Sequence, residues 1–314
     1  MKNMEREDIH IIGRHSNLTE KEIAKALKEN VYNDKEAWQK FFQLFFISLG
    51  VGFTVSGIVF FFAYNWADLH KFVKIGLTEG VLIATTIIVL LPKINGNIRN
   101  VILTGASVLV GVLFAVFGQI YQTGANAYDF FLAWTVFVTL WVLVSNFAPL
   151  WLLYLVLINT TFILYSQQVA KDWSEVFVCS LLFIINATVL ISAIFWGKKK
   201  IPNWFLNTVA LASVSYATIG VVIGIFDKYQ ATFPILILIT AITFALGIWH
   251  GLKTKSGFYL SVIPFSLIII VSALLIKISD GEMMFLLVSL FIIASVTLTI
   301  KNLIDIQKKW TNEK

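Results

Sequence analysis

Glu79 is the carboxylate that lies well inside an apolar stretch of this sequence. It is about seven residues, or roughly 10 Å of helix, from the nearer end of that stretch. An ionisable group at such a depth is costly in lipid, so it is expected to face a cavity or a partner. If water reaches it, the carboxyl group can exchange protons, as a proton-coupled site requires. The alternative is structural, with Lys74 or Lys71 on the preceding turns neutralising it.

Uncharged amides and tyrosines are concentrated in two segments, FFFAYNW at residues 60–66 and FGQIYQTGANAYDFFLAW at residues 117–134. Tyr and Trp at the ends of apolar stretches are typical interfacial anchors. Interfacial anchoring does not explain the amides. They can hydrogen-bond a neutral or zwitterionic solute without the cost of a buried charge. We therefore predict a solute site at one membrane surface, formed by Asn65, Gln119, Tyr121, Gln122, Asn126 and Asp129. The alternative is a loop or re-entrant segment whose amides satisfy its own backbone.

Each loop on that side carries one aspartate. The five are Asp68, Asp129, Asp172, Asp227 and Asp280. A ring of acids at an entrance would concentrate cations. The simpler alternative is helix capping, because Asp129, Asp172 and Asp280 each stand immediately before a predicted helix.

Catalytic motifs are missing from the sequence. There is no H-E-x-x-H, Walker, dinucleotide-glycine or C-x-x-C pattern, the four histidines are scattered, and the single cysteine is Cys179. Gly105, Ala106 and Ser107 resemble an intramembrane serine-protease motif, but the one later histidine in a span, His250, lies at its cytoplasmic end. We therefore expect no enzyme activity, no metal and no cofactor.

The elements that position these residues are long apolar helices. Hydrophobic residues make up 58% of the chain, charged residues 13%, and the mean hydropathy is +0.82, far from a soluble protein. Apolar blocks of membrane-spanning length, without the alternation of barrel strands, predict an all-α polytopic membrane protein with about ten transmembrane helices. The blocks cover residues 42–63, 72–91, 101–119, 130–147, 150–166, 176–196, 204–226, 231–250, 258–276 and 283–300. The fourth and fifth meet at residues 146–149, where the boundary between them falls.

The distribution of Lys and Arg predicts that both termini are cytoplasmic. Of 24 such residues, 19 fall in the N-terminal segment or on its side of the membrane, and the remaining five are Lys71, Lys74, Lys171, Lys228 and Lys277. The net charge of +6 mostly reflects this bias, which also attracts anionic lipid headgroups. We therefore expect no nucleic-acid partner. No secretory signal peptide is evident, and the expected location is the bacterial inner membrane, as a multi-pass protein.

Residues 1–40 are predicted to form a cytoplasmic helical segment, and residues 41–314 the transmembrane bundle. Thr19 followed by Glu22 is a capping-box pattern, and Ile23, Ala26 and Leu27 form a narrow apolar stripe. This stripe either packs on the chain itself or binds a protein partner. Asp34 is expected to cap a helix that continues into the first span.

The two amide-rich segments also carry a family resemblance. FFFAYNW, a Lys and a second span, then GQIYQTGA with Tyr128, Phe131 and Trp134, resemble the uncharacterised bacterial membrane family named domain of unknown function 2157. The resemblance covers about residues 4–159. It implies a bacterial inner-membrane protein with no assigned activity, and it assigns no catalytic residue.

Internal duplication and close helix packing leave weaker signals. The segment GVLFAVFGQIYQT from Gly111 is similar to the segment GVVIGIFDKYQAT from Gly220. Either a parallel internal repeat or chance explains this similarity. Two small-residue stripes favour close helix packing: Ser48, Gly52 and Ser56, and separately Gly220 and Gly224.

Two function classes are favoured equally. One is a permease or small-solute-binding bundle that handles a solute or a proton, which requires a water-filled path. The other is a scaffold, sensor or accessory subunit acting through its N-terminal cytoplasmic helices, which requires a packed interior.

Overall fold

The computed structural model of the chain describes residues 9, 18–30, 35–65, 69–92, 94–121, 124, 126–196, 201–227, 230–278 and 283–312. Within those residues the chain forms eleven helices and no strand, which confirms the all-α prediction. They are α1 Glu20–Asn30, α2 Lys35–Asn65, α3 Lys71–Leu90, α4 Gly96–Tyr121, α5 Ala127–Ser145, α6 Ala148–Gln168, α7 Glu175–Trp196, α8 Asn203–Phe226, α9 Thr232–Lys253, α10 Gly257–Ile278 and α11 Met283–Asn312.

Ten of the described helices, α2 to α11, are long and apolar enough to cross a membrane, as predicted. The short break between α5 and α6 is real. Asn146 adopts the left-handed conformation (φ 46°, ψ 46°) that commonly ends a helix, and Pro149 lies in the first turn of α6. The fourth and fifth predicted spans are therefore two separate helices.

Two helices run well beyond the predicted apolar blocks. α2 begins at Lys35, so the helix does continue into the first span, although Asp34 lies outside the described residues. α11 continues twelve residues past the predicted end at residue 300, to Asn312. The extension contains Lys, Gln, Asp and Leu without Gly or Pro, and those residues favour helix outside the membrane as well.

The chain divides into two compact units, residues 1–113 and residues 114–314, and each is described by itself. The predicted boundary after residue 40 stays a prediction. In the first unit, Leu27 of α1 is only 7% exposed, so the last member of the predicted apolar stripe is covered by this chain, while Ile23 and Ala26 are half-buried. The carboxylate of Glu22 accepts hydrogen bonds from the backbone N–H and the hydroxyl of Thr19, at 2.8 and 2.9 Å. These bonds lower the pKa of Glu22 and fix the start of the helix.

Close packing in the first unit joins α2 and α4. A Cβ at Gly105 would lie 2.4 Å from Cγ1 of Val51 and 3.8 Å from Cγ2 of Val55. Gly52 has open space around it instead, and its stripe partners Ser48 and Ser56 are exposed. The predicted packing stripe on α2 is therefore wrong by one residue, which turns the contact face by about 100° around the helix.

In the second unit the core lies among α7, α8, α9 and α10. Its buried members are Val176, Phe183, Ala217, Val221, Leu236, Phe244 and Ile263. A Cβ at Gly220 would come within 2.8 Å of Cβ of Cys179 and 2.9 Å of Cδ2 of Leu236. One at Gly224 would meet the ring of Phe233 at 2.2 Å. The predicted glycine stripe on α8 thus lets both α7 and α9 pack closely against α8, as expected for membrane helices.

A pair of asparagines crosses between α6 and α7. Nδ2 of Asn186 donates to Oδ1 of Asn159 (2.8 Å) and to the carbonyl of Leu182 (2.8 Å), and Nδ2 of Asn159 donates to Oδ1 of Asn186 (3.3 Å). Asn186 is fully buried and Asn159 is 8% exposed. Each amide is the other's partner, so the two helices are held in one register.

Asn186→Leu is expected to lower the free energy of unfolding by about 1–3 kcal/mol, because the amide of Asn159 is then buried without its partner. The double substitution of Asn159 and Asn186 by Leu is expected to recover part of that loss, since no orphaned amide remains. Reversible unfolding of the purified chain in mixed micelles measures both values.

Asn203→Leu is the matched control, because Asn203 is exposed at the start of α8. It should change stability little. Asn159→Leu alone completes the cycle. If its effect and that of Asn186→Leu simply added up to the effect of the double substitution, the pair would contribute no interaction free energy.

Candidate functional site

Three of the predicted solute-site residues line one open cavity in the second unit. Gln119, Asn126 and Asp129 contribute the polar side chains, and the cavity measures about 510 Å³. We call it the amide groove. The rest of its lining is Phe114, Ala115, Phe117, Gly118, Gly124, Ala127 and Phe130. Polar groups therefore meet aromatic side chains on one concave surface, which is the composition typical of small-molecule sites.

The end of α4 and the start of α5 position the amide groove. At the last turn of α4, the ring of Tyr121 stacks on that of Phe117, with centroids 5.3 Å apart. Gly124 adopts φ +66°, a conformation that favours glycine, in the connection between the two helices. Asn126 has extended backbone (φ −70°, ψ 159°) and is the N-cap of α5.

Asp129 fixes the start of α5 and lines the groove at the same time. Its Oδ2 accepts a hydrogen bond from the backbone N–H of Asn126 at 3.0 Å. Asp129 is therefore the third residue of the helix in a capping box, and the capping residue itself is Asn126. The alternative interpretation, in which Asp129 helps to cap a helix, is confirmed. Its predicted position immediately before the helix is wrong, because it is the third residue of α5.

The other loop aspartates differ in whether they take part in a helix cap. At the start of α7 it is Ser174, not Asp172, whose side chain accepts a hydrogen bond from the helix, donated by the N–H of Phe177 at 3.2 Å. Asp227 ends α8 and accepts a hydrogen bond from Nε2 of Gln230. Asp68 and Asp280 lie outside the described residues.

The amide groove is braced from α6. Oε1 of Gln168 accepts a hydrogen bond from the backbone N–H of Tyr128 at 3.0 Å. The rings of Tyr128 and Tyr165 meet edge to face at 5.3 Å, and Tyr165 meets Trp173 at 5.4 Å. Gln168 was missed at the sequence level, although it carries the same signal as Gln119, an amide at a span end beside a tyrosine.

Of the remaining predicted site residues, Tyr121 is not part of the groove's described lining. Tyr121 is about half exposed and stacks on Phe117. Gln122 lies outside the described residues, and so does the side chain of Asn65, whose backbone closes α2 in the first unit.

Glu79 belongs to the first unit, where its side chain is exposed on α3. Lys74 is buried and lies with the fully buried Thr78 on another face of the same helix. Nζ of Lys71 lies 5.3 Å from the ring centroid of Phe72. The separation of faces disfavours neutralisation of Glu79 by Lys74. A role for Glu79 in proton exchange stays a prediction.

A second cavity, of about 590 Å³ and mostly apolar in its lining, lies at the opposite end of α5. We call that end, formed by residues 146–149, 201–205 and 254–257, the lysine end, because Lys253 and Lys255 lie there. Asn146, Thr188 and Ser192 supply polar groups to its lining, which also contains Trp151 and Trp204. Sequence reasoning missed this cavity, since its residues come from three separate segments and none stands out alone.

The amide groove can hold a solute by hydrogen bonds and one negative charge. The amides of Gln119 and Asn126 both donate and accept, and the carboxylate of Asp129 accepts only. Among the described residues, no group of three or more His, Cys, Asp and Glu side chains is placed to hold a metal ion.

The comparison with known protein families agrees with the sequence resemblance. A family described as "Predicted membrane protein (DUF2157)" matches residues 15–151, so the predicted resemblance is confirmed over most of its extent, and the matched segment includes the whole amide groove. No curated protein and no solved structure matches the chain. The chain is a multi-pass membrane protein of unknown function, similar over residues 15–151 to this family of predicted membrane proteins.

Proposed function

We propose that this protein is a permease that binds a small solute in the amide groove. The observation that carries the proposal is the convergence of Gln119, Asn126 and Asp129 on one open cavity. Asn126 and Asp129 also form the capping box of α5, whereas Gln119 is exposed and free of such a role in the described hydrogen bonds, so its amide is available to a ligand. A groove of about 510 Å³ holds a molecule of metabolite size.

The solute that fits is neutral or zwitterionic. Gln119 and Asn126 offer both donors and acceptors, and Asp129 offers a negative charge to a cationic group. Among the described residues, the lining contains no Lys or Arg, so the carboxylate of Asp129 is the one charged group that a plain anion would meet there. Phe114, Phe117 and Phe130 cover the apolar part of the ligand.

Movement across the membrane is proposed from the second unit's arrangement along the helix axis. α5 has 19 residues, so the amide groove and the lysine-end cavity are about 28 Å apart along it. Near the middle of the neighbouring helices lies the buried pair of Asn159 and Asn186. Two cavities at opposite ends, each with a few polar side chains, and a buried polar pair between them suit alternating access.

The proposed location is the inner membrane, with both termini in the cytoplasm. The supporting observation is the excess of Lys and Arg on the N-terminal side. The lysine end would then be cytoplasmic and the amide groove would face outward. The proposal assigns no catalytic chemistry, cofactor or nucleic-acid partner to the chain.

The alternative proposal is a scaffold or accessory subunit that acts through its N-terminal helices. It has less support, because Leu27 of the apolar stripe is already covered within the chain. Most of residues 1–17 lie outside the described part, so a partner there stays a proposal of its own.

Gln119→Ala is expected to weaken solute binding at least tenfold, because the solute loses its amide partner while the helix ends stay intact. The measurement is thermal unfolding of the purified chain with a panel of neutral and zwitterionic solutes, followed by flux of the selected solute in proteoliposomes. A solute at one hundred times its Kd should stabilise the wild type by about 2.7 kcal/mol.

Gln167→Ala is the matched control, since Gln167 is an exposed amide at the end of α6 and is not part of the groove lining. It should bind as the wild type does. Stabilisation that persists unchanged in Gln119→Ala would exclude the groove. Binding without flux would leave a solute receptor and exclude the permease.

Glu79→Gln is expected to abolish uphill accumulation of the solute driven by a pH gradient while downhill exchange continues, because the amide cannot carry a proton. Proteoliposomes with an imposed gradient measure both rates. Glu175→Gln, an exposed acid at the start of α7, is the control. Unchanged accumulation in Glu79→Gln would remove the proton from the mechanism.

The proposed orientation is tested with single cysteines. In a chain whose only cysteine, Cys179, is replaced by Ala, Lys171→Cys should react with a membrane-impermeant maleimide on intact cells, and Thr254→Cys only after lysis. Both positions are exposed in the structure. The reverse pattern would invert the chain and place the amide groove in the cytoplasm.

A further inference from the structure

A third cavity in the second unit is almost wholly apolar. It lies between α7 and α9, with α8 and α10 behind it, and measures about 250 Å³. Ala187, Ile191 and Phe195 form the α7 wall, and Leu246 and Trp249 form the α9 wall. A hydrophilic solute would lose its hydrogen bonds to water there and find almost no replacement. The occupant must therefore be apolar over most of its length.

The cavity runs along the helix axes and starts at the lysine end. On α7 its lining extends from Phe183 to Phe195, about 18 Å of helix, and on α9 from Thr243 to His250, about 10 Å. Half of a hydrocarbon core is about 15 Å thick. The cavity thus covers roughly one leaflet in depth and points along the membrane normal, as a lipid acyl chain does.

The cavity opens towards lipid. Its deep wall is buried, with Phe183 2% and Ile263 3% exposed. The residues at its edges are exposed on helix faces of bilayer-spanning length, with Phe195 at 74% and Trp249 at 56%. A chain from the surrounding bilayer can therefore enter sideways between α7 and α9.

Polar and cationic groups stand at the lysine end of the cavity. Nζ of Lys253 lies 5.0 Å from the ring centroid of Trp249. The rings of His250 and Tyr259, both in the lining, meet edge to face at 5.4 Å. A phosphate at this depth would meet the ammonium group of Lys253 and the donors of His250 and Tyr259. The polar end and the apolar body of the cavity match the two parts of a phospholipid.

We propose that this cavity binds one acyl chain of an anionic phospholipid, with the lipid phosphate against Lys253. The site is separate from the amide groove and does not depend on solute transport. Its occupant comes from the leaflet at the lysine end, whichever side of the membrane that is.

Ala187→Leu tests the acyl chain, because the larger side chain would occupy the cavity. The full chain is purified in detergent and titrated with phosphatidylglycerol, and bound lipid is counted by native mass spectrometry. The wild type should retain one lipid per chain, and the variant should bind at least tenfold more weakly. Ala241→Leu, the same change on the exposed face of α9, should bind as the wild type does. Equal retention by Ala187→Leu and the wild type would overturn the proposal.

Lys253→Gln tests the headgroup. The wild type should prefer phosphatidylglycerol over phosphatidylcholine, and the variant should lose most of that preference while still retaining lipid. Lys277→Gln is the matched control, since Lys277 also lies over an aromatic ring, 5.9 Å from the centroid of Phe226, but at the other end of the unit. A preference that survives in Lys253→Gln, or that disappears only in Lys277→Gln, would refute the assignment.

Trp249 gives a readout that needs no cavity-filling variant. Phosphatidylglycerol with brominated acyl chains should quench the fluorescence of the wild type in a saturable way, and unlabelled phosphatidylglycerol should compete more strongly than phosphatidylcholine. Trp249→Phe should lack the saturable part. Quenching that does not saturate, or that is equal in the two proteins, would show that no lipid occupies the cavity.

Discussion

The absence of hydrogen-bonding partners in lipid is the constraint on which this structure depends. Each span must satisfy its own backbone, so each is a helix, and most hydroxyl groups inside the spans bond within their own helix too. Thr78 donates to the carbonyl of Lys74, Ser107 to that of Leu103 and Thr161 to that of Leu157, at 2.8 to 2.9 Å. A hydroxyl group that bonds within its own helix contributes little to the contacts between helices. Contacts that do cross between helices, such as Asn159 with Asn186, Thr218 with Ser266 at 2.5 Å and Thr139 with Tyr154 at 3.1 Å, therefore matter more for helix register.

The same constraint explains why packing relies on small residues. Lipid tails are as apolar as leucine, so helices gain little by burying leucine and more by approaching closely. Gly220 lies against Cys179 and Leu236, and Gly105 against Val51, at distances that leave no room for a methyl group without movement. Gly52 and Gly80, by contrast, have open space around them. Small residues in a span thus indicate close packing only where a neighbouring helix is actually present.

Hydropathy alone predicted the ten spans, because crossing lipid requires a long apolar helix and the sequence shows each one directly. It also singled out Gln119, Asn126 and Asp129, since amides and an acid next to apolar spans are rare enough to stand out. The asparagine pair could not be found in the same way. Asn159 and Asn186 are far apart in sequence, and only the packing of α6 on α7 brings them together. The lysine-end cavity was missed for the same reason, and Glu79, which did stand out, lies on an exposed face of α3.

α7 is a wall of two cavities, one with several polar side chains in its lining and one almost wholly apolar. Thr188 and Ser192 line the lysine-end cavity, whereas Ala187 and Ile191 line the apolar cavity between α7 and α9. Successive positions on a helix differ by about 100°, so this division follows from the order of the residues and needs no break in the helix. Because α7 is a wall of both cavities, a shift of α7 that narrows one widens the other. An acyl chain between α7 and α9 would therefore hold α7 in the position seen here and keep the lysine-end cavity open. Solute access at that end would then depend on the lipid on the opposite face of the same helix.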